Sequence, residues 1–342
     1  MKTEILQTRP PQLFRKAVQH AAAALRRGEV VALPTETVYG LAANALDEKA
    51  VAKIFQIKGR PVNNPIIVHV ASVEMAKRCV TDWPAEAEKL AKSFWPGPLT
   101  LVLPRANEIP HLVTAGSMTV GVRWPSHPFI QAVIRACDFP LAAPSANLSS
   151  QISPTNAEHV CKQLGGKIPL IVDGGQSQVG IESTVLDLTP RLRAGAGPPE
   201  ILRPGMIHAE SLAAVVGKVR SPQVEVRTDA YLRSPGLLKK HYAPKAKLVV
   251  LNWQSDADLN FQLSTFNLPP ATCHVIAHTK IPSGENFARV SVIPHDAKAF
   301  ARAIYAELHH CDEAGAEWIV VEATPERPEW RGIADRLRRA AV

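Results

Sequence analysis

Hydrophobic and polar positions alternate along the chain with two different periods. Residues 12–27, QLFRKAVQHAAAALRR, carry apolar side chains at helical spacing and close on Gly28, and EVVALPT follows as a strand that Pro34 ends. Further apolar runs suit strands: PIIVHV, LTLVLP, TVGVRWP, FPLAAPSA, PLIVD and STVLDL. Helical patterning separates them at 47–57, 83–94, 127–137 and 155–163. This order predicts an α/β fold on a mixed sheet. After EILRPGMI the periodicity loosens, and 209–246 reads as a linker rich in proline and basic residues. KLVVLN, CHVIAH and EWIVVEA then interleave with helical stretches at 297–310 and 331–340. The expected organisation is a catalytic domain at 1–208, a linker at 209–246 and a small α/β domain at 247–342.

Composition narrows the class. The 342 residues are 46 % apolar and 20 % charged, as in a folded globular protein. No run of about 18 apolar residues occurs and the start lacks an apolar leader segment, so a cytoplasmic protein with no membrane partner is expected. Cysteines 79, 137, 161, 273 and 311 form no C-x-x-C pair, which argues against a zinc ribbon or a disulfide framework and for core thiols. The net charge of +8 points to anionic ligands, but the cations are spread out, with only short clusters such as RLRR at 336–339. Nucleotide phosphates and a nucleic-acid backbone both suit that pattern.

The candidate chemistry lies where strands meet loops. PTETVYGLAANA, 34–45, groups Thr35, Glu36, Thr37, Tyr39 and Asn44 around Gly40; a ligand loop and a polar connection both fit. KGRPVNNPIIVHV, 58–70, sets Lys58, Arg60 and Asn64 between stiffening prolines against an apolar strand, an arrangement suited to phosphates. His69 alone more often means a satisfied core histidine. Arg123 in GVRWPSHP can clamp a carboxylate or phosphate, or form an ordinary ion pair. LAAPSANLSSQISPT offers Ser145, Asn147, Ser149, Ser150 and Ser153, and DGGQSQVGIESTVLDL offers Gly174, Gly175, Gly180, Ser183 and Thr184. No P-loop, dinucleotide, serine-hydrolase or zincin motif is present, so any phosphate site is of another kind.

Taken in order, PTETVYGLAANA, KGRPVNNPIIVHV, WPGPLTLVL, GVRWPSHP, APSANLSSQISPT, DGG, IESTVLDL and ILRPG resemble the motifs of the YrdC-like threonylcarbamoyl-AMP synthases across about residues 12–208. SPGLLKKHYAP and the C-terminal segment resemble the longer, two-domain members. The resemblance implies a twisted mixed sheet with helices around a basic cavity, plus a smaller C-terminal Rossmann-like α/β domain. It implies a nucleotidyltransferase that makes L-threonylcarbamoyl-AMP and pyrophosphate from L-threonine, bicarbonate and ATP. Its product would go to a separate tRNA threonylcarbamoyl transferase that forms N6-threonylcarbamoyladenosine at position 37 of tRNAs reading ANN codons; direct tRNA binding is compatible with this but not required.

The same resemblance assigns Lys58, Arg60, Asn64, Thr119, Ser145, Ser153 and Arg203 to ATP, and Thr37, His69, Arg123, Ala143 and Ser183 to threonine. No catalytic nucleophile is implied, and Mg2+ is expected to arrive with ATP, held by its phosphates. SPGLLKKHYAP is expected to close over the cavity, with Tyr242 on the nucleotide. Ser150 stands where the family usually has Gly, and Leu238 and Lys239 stand where a basic and an aromatic residue are usual. Two alternatives are an RNA-binding module, disfavoured by an aromatic content of 6 %, and the carbamoyltransferase of hydrogenase maturation, whose cysteine pairs are missing.

Overall fold

The computed structural model describes residues 2–189, 197–221, 235, 241–283 and 286–342. The chain opens with β1 (Glu4–Gln7), α1 (Pro11–Arg26), β2 (Val31–Leu33), β3 (Gly40–Asn44), α2 (Glu48–Lys58) and β4 (Val68–His69). It continues through α3 (Val73–Arg78), α4 (Ala85–Phe94), β5 (Leu99–Pro104), β6 (Thr119–Arg123), α5 (Pro128–Cys137) and β7 (Leu141–Ala142). Next come α6 (Ala157–Leu164), β8 (Leu170–Asp173), β9 (Thr184–Asp187), β10 (Glu200–Arg203) and α7 (Ala209–Val216). The last part holds β11 (Lys247–Leu251), α8 (Asp256–Thr265), β12 (Cys273–Ala277), β13 (Arg289–Val292), α9 (Ala297–Glu313), β14 (Trp318–Glu322) and α10 (Arg331–Ala340).

Proline in its first turn and an apolar stripe of Ala17, Val18, Ala21, Ala24 and Leu25 make α1 a helix whose small side chains seat it closely against α5. The strands of this region form one mixed sheet in the order β1-β8-β2-β3-β7-β4-β6-β5-β9-β10. β4 and β7 are two residues each, yet they sit in the middle of it. β4 runs parallel to β6 and antiparallel to β7, so a short stretch of the chain joins the two halves of the sheet.

Two departures from the sequence reading concern this region. The second half of PTETVYGLAANA is not loop but the buried strand β3, paired antiparallel with β2 and β7. The start of the expected linker is the helix α7, whose Leu212 is fully buried in the first core and which packs on α4. Its apolar run SLAAVV reads as well for a helix as for a tether, and packing decides.

The second sheet, β11-β14-β12-β13, is parallel throughout and matches the expected C-terminal α/β unit. Its core does not end at its own edge. Val38, Ile152 and Ile181 from the first region share one apolar cluster with Phe300, Ala301, Ile304, Trp330 and Ile333. Glycines allow the close approach: a Cβ on Gly180 (φ +86°) would stand 2.2 Å from the Ala301 carbonyl oxygen, and one on Gly332 2.9 Å from Gly205 Cα. Among the described residues no helix is long and apolar enough to cross a membrane.

Candidate active site

Strand alternation decides which side chains face the cavity. On β6, Thr119, Gly121 and Arg123 share one face; beside them Ile67 and His69 face the same way, as do Thr100 and Val102 on β5 and Val185 on β9. Two adjoining cavities open on this face. The larger, about 540 Å³, is lined by Thr37, Arg60, His69, Arg123, Ala143, Ser145, Glu182, Ser183, Arg203, Pro235, His241 and Tyr242, among others. The smaller shares Ile67 and Pro235 with it and is bounded by Thr119.

One wall is cationic. Asp47 caps the start of α2, and Gly59 in the left-handed region (φ +59°) ends it, turning the chain so that Lys58 and Arg60 both point inward. Arg60 donates through Nε to the Asn64 carbonyl at 3.0 Å and through Nη2 to Asn64 Oδ1 at 2.8 Å. Arg203, at the end of β10, donates to Ser183 O and Oγ, each at 3.1 Å, and to the Pro235 carbonyl at 3.3 Å. Lys58 lies behind this wall, where Nζ donates to the Ser145 carbonyl at 2.6 Å and to Asn147 O and Oδ1. No described carboxylate bonds to any of the three cations. Burial, and then the charge of Arg60, pull Lys58 well below its ordinary pKa, and burial brings Arg60 down to about 9. An entering polyanion reverses both effects.

The opposite wall is bipolar. Arg123 Nη2 meets Glu36 Oε1 at 2.7 Å, Nη1 meets Thr37 Oγ1 at 2.9 Å, and Nε reaches the Gly97 carbonyl at 3.3 Å. Glu36 Oε2 is buried with no hydrogen-bond partner among the described residues. His69 is the register neighbour of Arg123; burial and then that positive charge lower its pKa to about 3, so it is neutral, and its Nδ1 is also unpartnered. Buried atoms of this kind are costly in an empty protein and are what a polar ligand satisfies.

The expected residues therefore separate. Arg60, Ser145, Arg203 and Tyr242 meet Thr37, His69, Arg123, Ala143 and Ser183 in one cavity. Asn64 and Lys58 stand in a second layer, Thr119 bounds the smaller cavity, and Ser153 donates to Glu182 Oε1 at 2.6 Å rather than facing the space directly. Glu182 and Tyr39 line the wall and Glu36 holds Arg123 beside it; the sequence placed Glu36 and Tyr39 in a possible ligand loop but gave none of the three a role, and Tyr39 donates its hydroxyl to the Gly175 carbonyl at 2.7 Å. Glu182 lay in view between Ile181 and Ser183 of the motif GIESTV, where glycines and hydroxyls drew the reading away from it. Ser234 and Gly236 to Lys240 of the expected lid lie outside the described residues, but Pro235, His241 and Tyr242 of the same phrase line the cavity.

Comparison with known proteins agrees with this geometry. Residues 23–205 match the family described as Telomere recombination (Sua5, YciO, YrdC), and 207–342 match the threonylcarbamoyl-AMP synthase C-terminal domain. Threonylcarbamoyl-AMP synthase of Pyrococcus abyssi is 40 % identical over 95 % of this chain and 94 % of its own length. The Bacillus subtilis protein of that name is 38 % identical over 99 % of this chain and 95 % of its own. The solved structure of P. abyssi Sua5 complexed with L-threonine superposes with a TM-score of 0.88 at 38 % identity, covering 100 % of this chain and 98 % of that one. Two matched domains and near-complete alignment place this chain in the threonylcarbamoyl-AMP synthase family.

Proposed function

We propose that the chain condenses L-threonine, bicarbonate and ATP to L-threonylcarbamoyl-AMP and pyrophosphate. The observation that carries this reading is a cavity with buried arginines that bond to no described carboxylate on one wall and an arginine held by a glutamate on the other. The first wall suits a triphosphate, which supplies the missing negative charge; the second suits a zwitterion, its carboxylate toward Arg123 and its amine toward the open oxygen of Glu36. Likeness to relatives named for this reaction supports the assignment.

Bond changes follow from that placement. The threonine ammonium gives up a proton, bicarbonate takes one up and loses water to become CO2, and the free amine adds to its carbon and releases its second proton to solvent, giving a carbamate. A carbamate oxygen attacks the α-phosphorus of ATP, the bond from that phosphorus to the bridging oxygen breaks, and pyrophosphate leaves with the electron pair. No side chain needs to form a covalent bond; the protein orients two charged substrates and neutralises the phosphates in a cavity shielded from bulk water. His69, neutral, can offer or accept a hydrogen bond at the amino-acid side without adding charge.

Glu182 in the cavity wall is paired with Arg336 and Glu36 gives one oxygen to Arg123, and among the described residues no group of three His, Cys, Asp or Glu is placed to hold a metal ion. These residues do not fit a protein cage for Mg2+, and the ion is proposed to travel on the phosphates. Delivery of the adenylate to a tRNA threonylcarbamoyl transferase in the cytoplasm completes the proposed role.

The test is direct. Purified chain is incubated with ATP, labelled bicarbonate and each amino acid in turn, and pyrophosphate and labelled adenylate are followed by rapid chromatography. Release is expected only when threonine and bicarbonate are both present; equal release without threonine overturns the proposal.

A further inference from the structure

Glu182 is a buried carboxylate in the wall of an anion cavity, where its charge opposes the ligand. It stands next in sequence to Ser183, whose carbonyl and hydroxyl Arg203 grips. Left alone, it would be drawn to Arg203 and would cancel the charge meant for the phosphates. It is held elsewhere. Arg336, on α10 of the C-terminal domain and 2 % exposed, donates through Nε to Glu182 Oε2 at 2.7 Å and through Nη2 to the Glu182 carbonyl at 3.3 Å. Its Nη1 anchors on the Pro204 carbonyl at 3.0 Å, directly after Arg203. Tyr305, on α9 of the same domain, donates to Glu182 Oε2 at 3.1 Å, and Ser153 occupies Oε1. The guanidinium of Arg336 also lies 5.2 Å from the ring centroid of Tyr242 in the cavity wall.

We propose that Arg336 is a positioning residue of the nucleotide site: the C-terminal domain supplies the counter-ion that neutralises Glu182 and thereby leaves Arg203 and Arg60 free for phosphate. The proposal rests on the assignment of the cavity to a triphosphate. It gives the second domain a part in catalysis, acting across the interface without touching substrate, and it explains why a side chain from the last helix is buried so deeply in another domain. Breaking a buried pair from one side leaves an uncompensated charge, whereas removing Glu182 together with Arg336 spares it; Asp335, which pairs with Arg336 Nη1 at 2.8 Å, keeps Arg338 and Arg339 in either case.

The experiment uses the full chain and four proteins: wild type, Arg336→Gln, Glu182→Gln and the double variant. Affinity is measured calorimetrically for ATP and for inorganic triphosphate, and steady-state pyrophosphate release gives KM for ATP and for threonine. Arg336→Gln is expected to weaken both anions and to raise KM for ATP by about tenfold or more, with the threonine KM changed by less than about threefold. Adding Glu182→Gln to it is expected to recover most of that loss, and Arg336→Lys to recover part. A merely structural Arg336 predicts the opposite: lowered stability with unchanged anion affinity, or a double variant no better than Arg336→Gln. Either result overturns the proposal. Should Arg336→Gln fail to fold, Glu182→Gln and the double variant decide: equal anion affinity in the two means that Arg336 acts only through Glu182, while a weaker double variant overturns that route. Triphosphate binding by wild type without adenylate formation would refute the synthase reading and leave this inference standing on its own readout.

Discussion

His69 and Arg123 are register partners on the parallel strands β4 and β6, side by side on the cavity face of the sheet. Burial, and then the charge of Arg123, keep the imidazole neutral. His241 and His309 are likewise buried, burial lowering each to about 3.

Depressed histidine pKa values make the fold acid-labile. The unfolded chain takes up protons on these groups below their ordinary pKa of about 6.5 while the folded chain does not, so stability falls as pH drops through that value. His69, His241 and His309 together are expected to cost roughly 4 kcal/mol between pH 7.5 and 5.5, about a third of it from each. Urea unfolding at the two pH values measures this, and His69→Asn should flatten the dependence by its share. A stability that is level over that range contradicts the neutral-histidine assignment.

Lys58 has all three protons directed at oxygens of 145–147. Lys58→Met strands those acceptors and is expected to lower stability by about 1–3 kcal/mol while also weakening ATP. Arg60→Ala is expected to weaken ATP by about 1.5–3 kcal/mol with a smaller change in stability. Calorimetric titration with ATP beside thermal melting separates the two; unchanged nucleotide affinity in both variants removes these residues from the site.

Arg123 spans three acceptors, Glu36, Thr37 and Gly97, which a lysine ammonium on its flexible stem cannot reproduce. Arg123→Lys is expected to raise the threonine KM about tenfold or more with little change for ATP. Pyrophosphate release at varied threonine reads this out, and an equal rise for both substrates would place Arg123 in the phosphate wall instead.

Tyr242 is 1 % exposed, has φ +61°, and packs edge-on to His241 with ring centroids 4.0 Å apart. Tyr242→Ala is expected to cost about 3 kcal/mol by cavity formation and, since the ring lines the cavity, to lower the yield of intact adenylate as water enters. Tyr242→Phe should spare stability. An alanine variant that loses stability but keeps full adenylate yield reduces the residue to packing.

Gly180 sits against the Ala301 carbonyl with no space for a Cβ. Gly180→Ala is expected to push α9 off the first domain and destabilise the chain by more than about 2 kcal/mol, from both the positive φ and the clash. Denaturant unfolding tests this, and a neutral outcome shows that the domains tolerate separation.

Much of this was written in local chemistry. Apolar periodicity marked α1, α5, β5, β6, β8, β11 and β14, because long runs with one period bury one stripe or face whatever lies opposite. Ordered motifs brought Arg60, His69, Arg123, Ser145, Ser183 and Arg203 to notice as cations and hydroxyls at strand ends. β1, β3, β13 and α7 were not legible: β1 is short and mostly exposed, and β3 reads as a polar loop until β2 and β7 flank it. Only tertiary structure decided that Lys58 serves the wall from behind, that Glu36 meets Arg123, and that Glu182 shares Arg336 with Asp335. RLRR is the clearest case. Helical spacing from Ile333 to Leu337 and Ala340 turns Arg336 inward and Arg338 outward, but no local signal says that the inward cation will meet Glu182, 154 residues earlier in the chain. Secondary structure follows from neighbours in sequence, whereas a buried charge is tolerable only beside its counter-charge, and that partner is chosen by the fold.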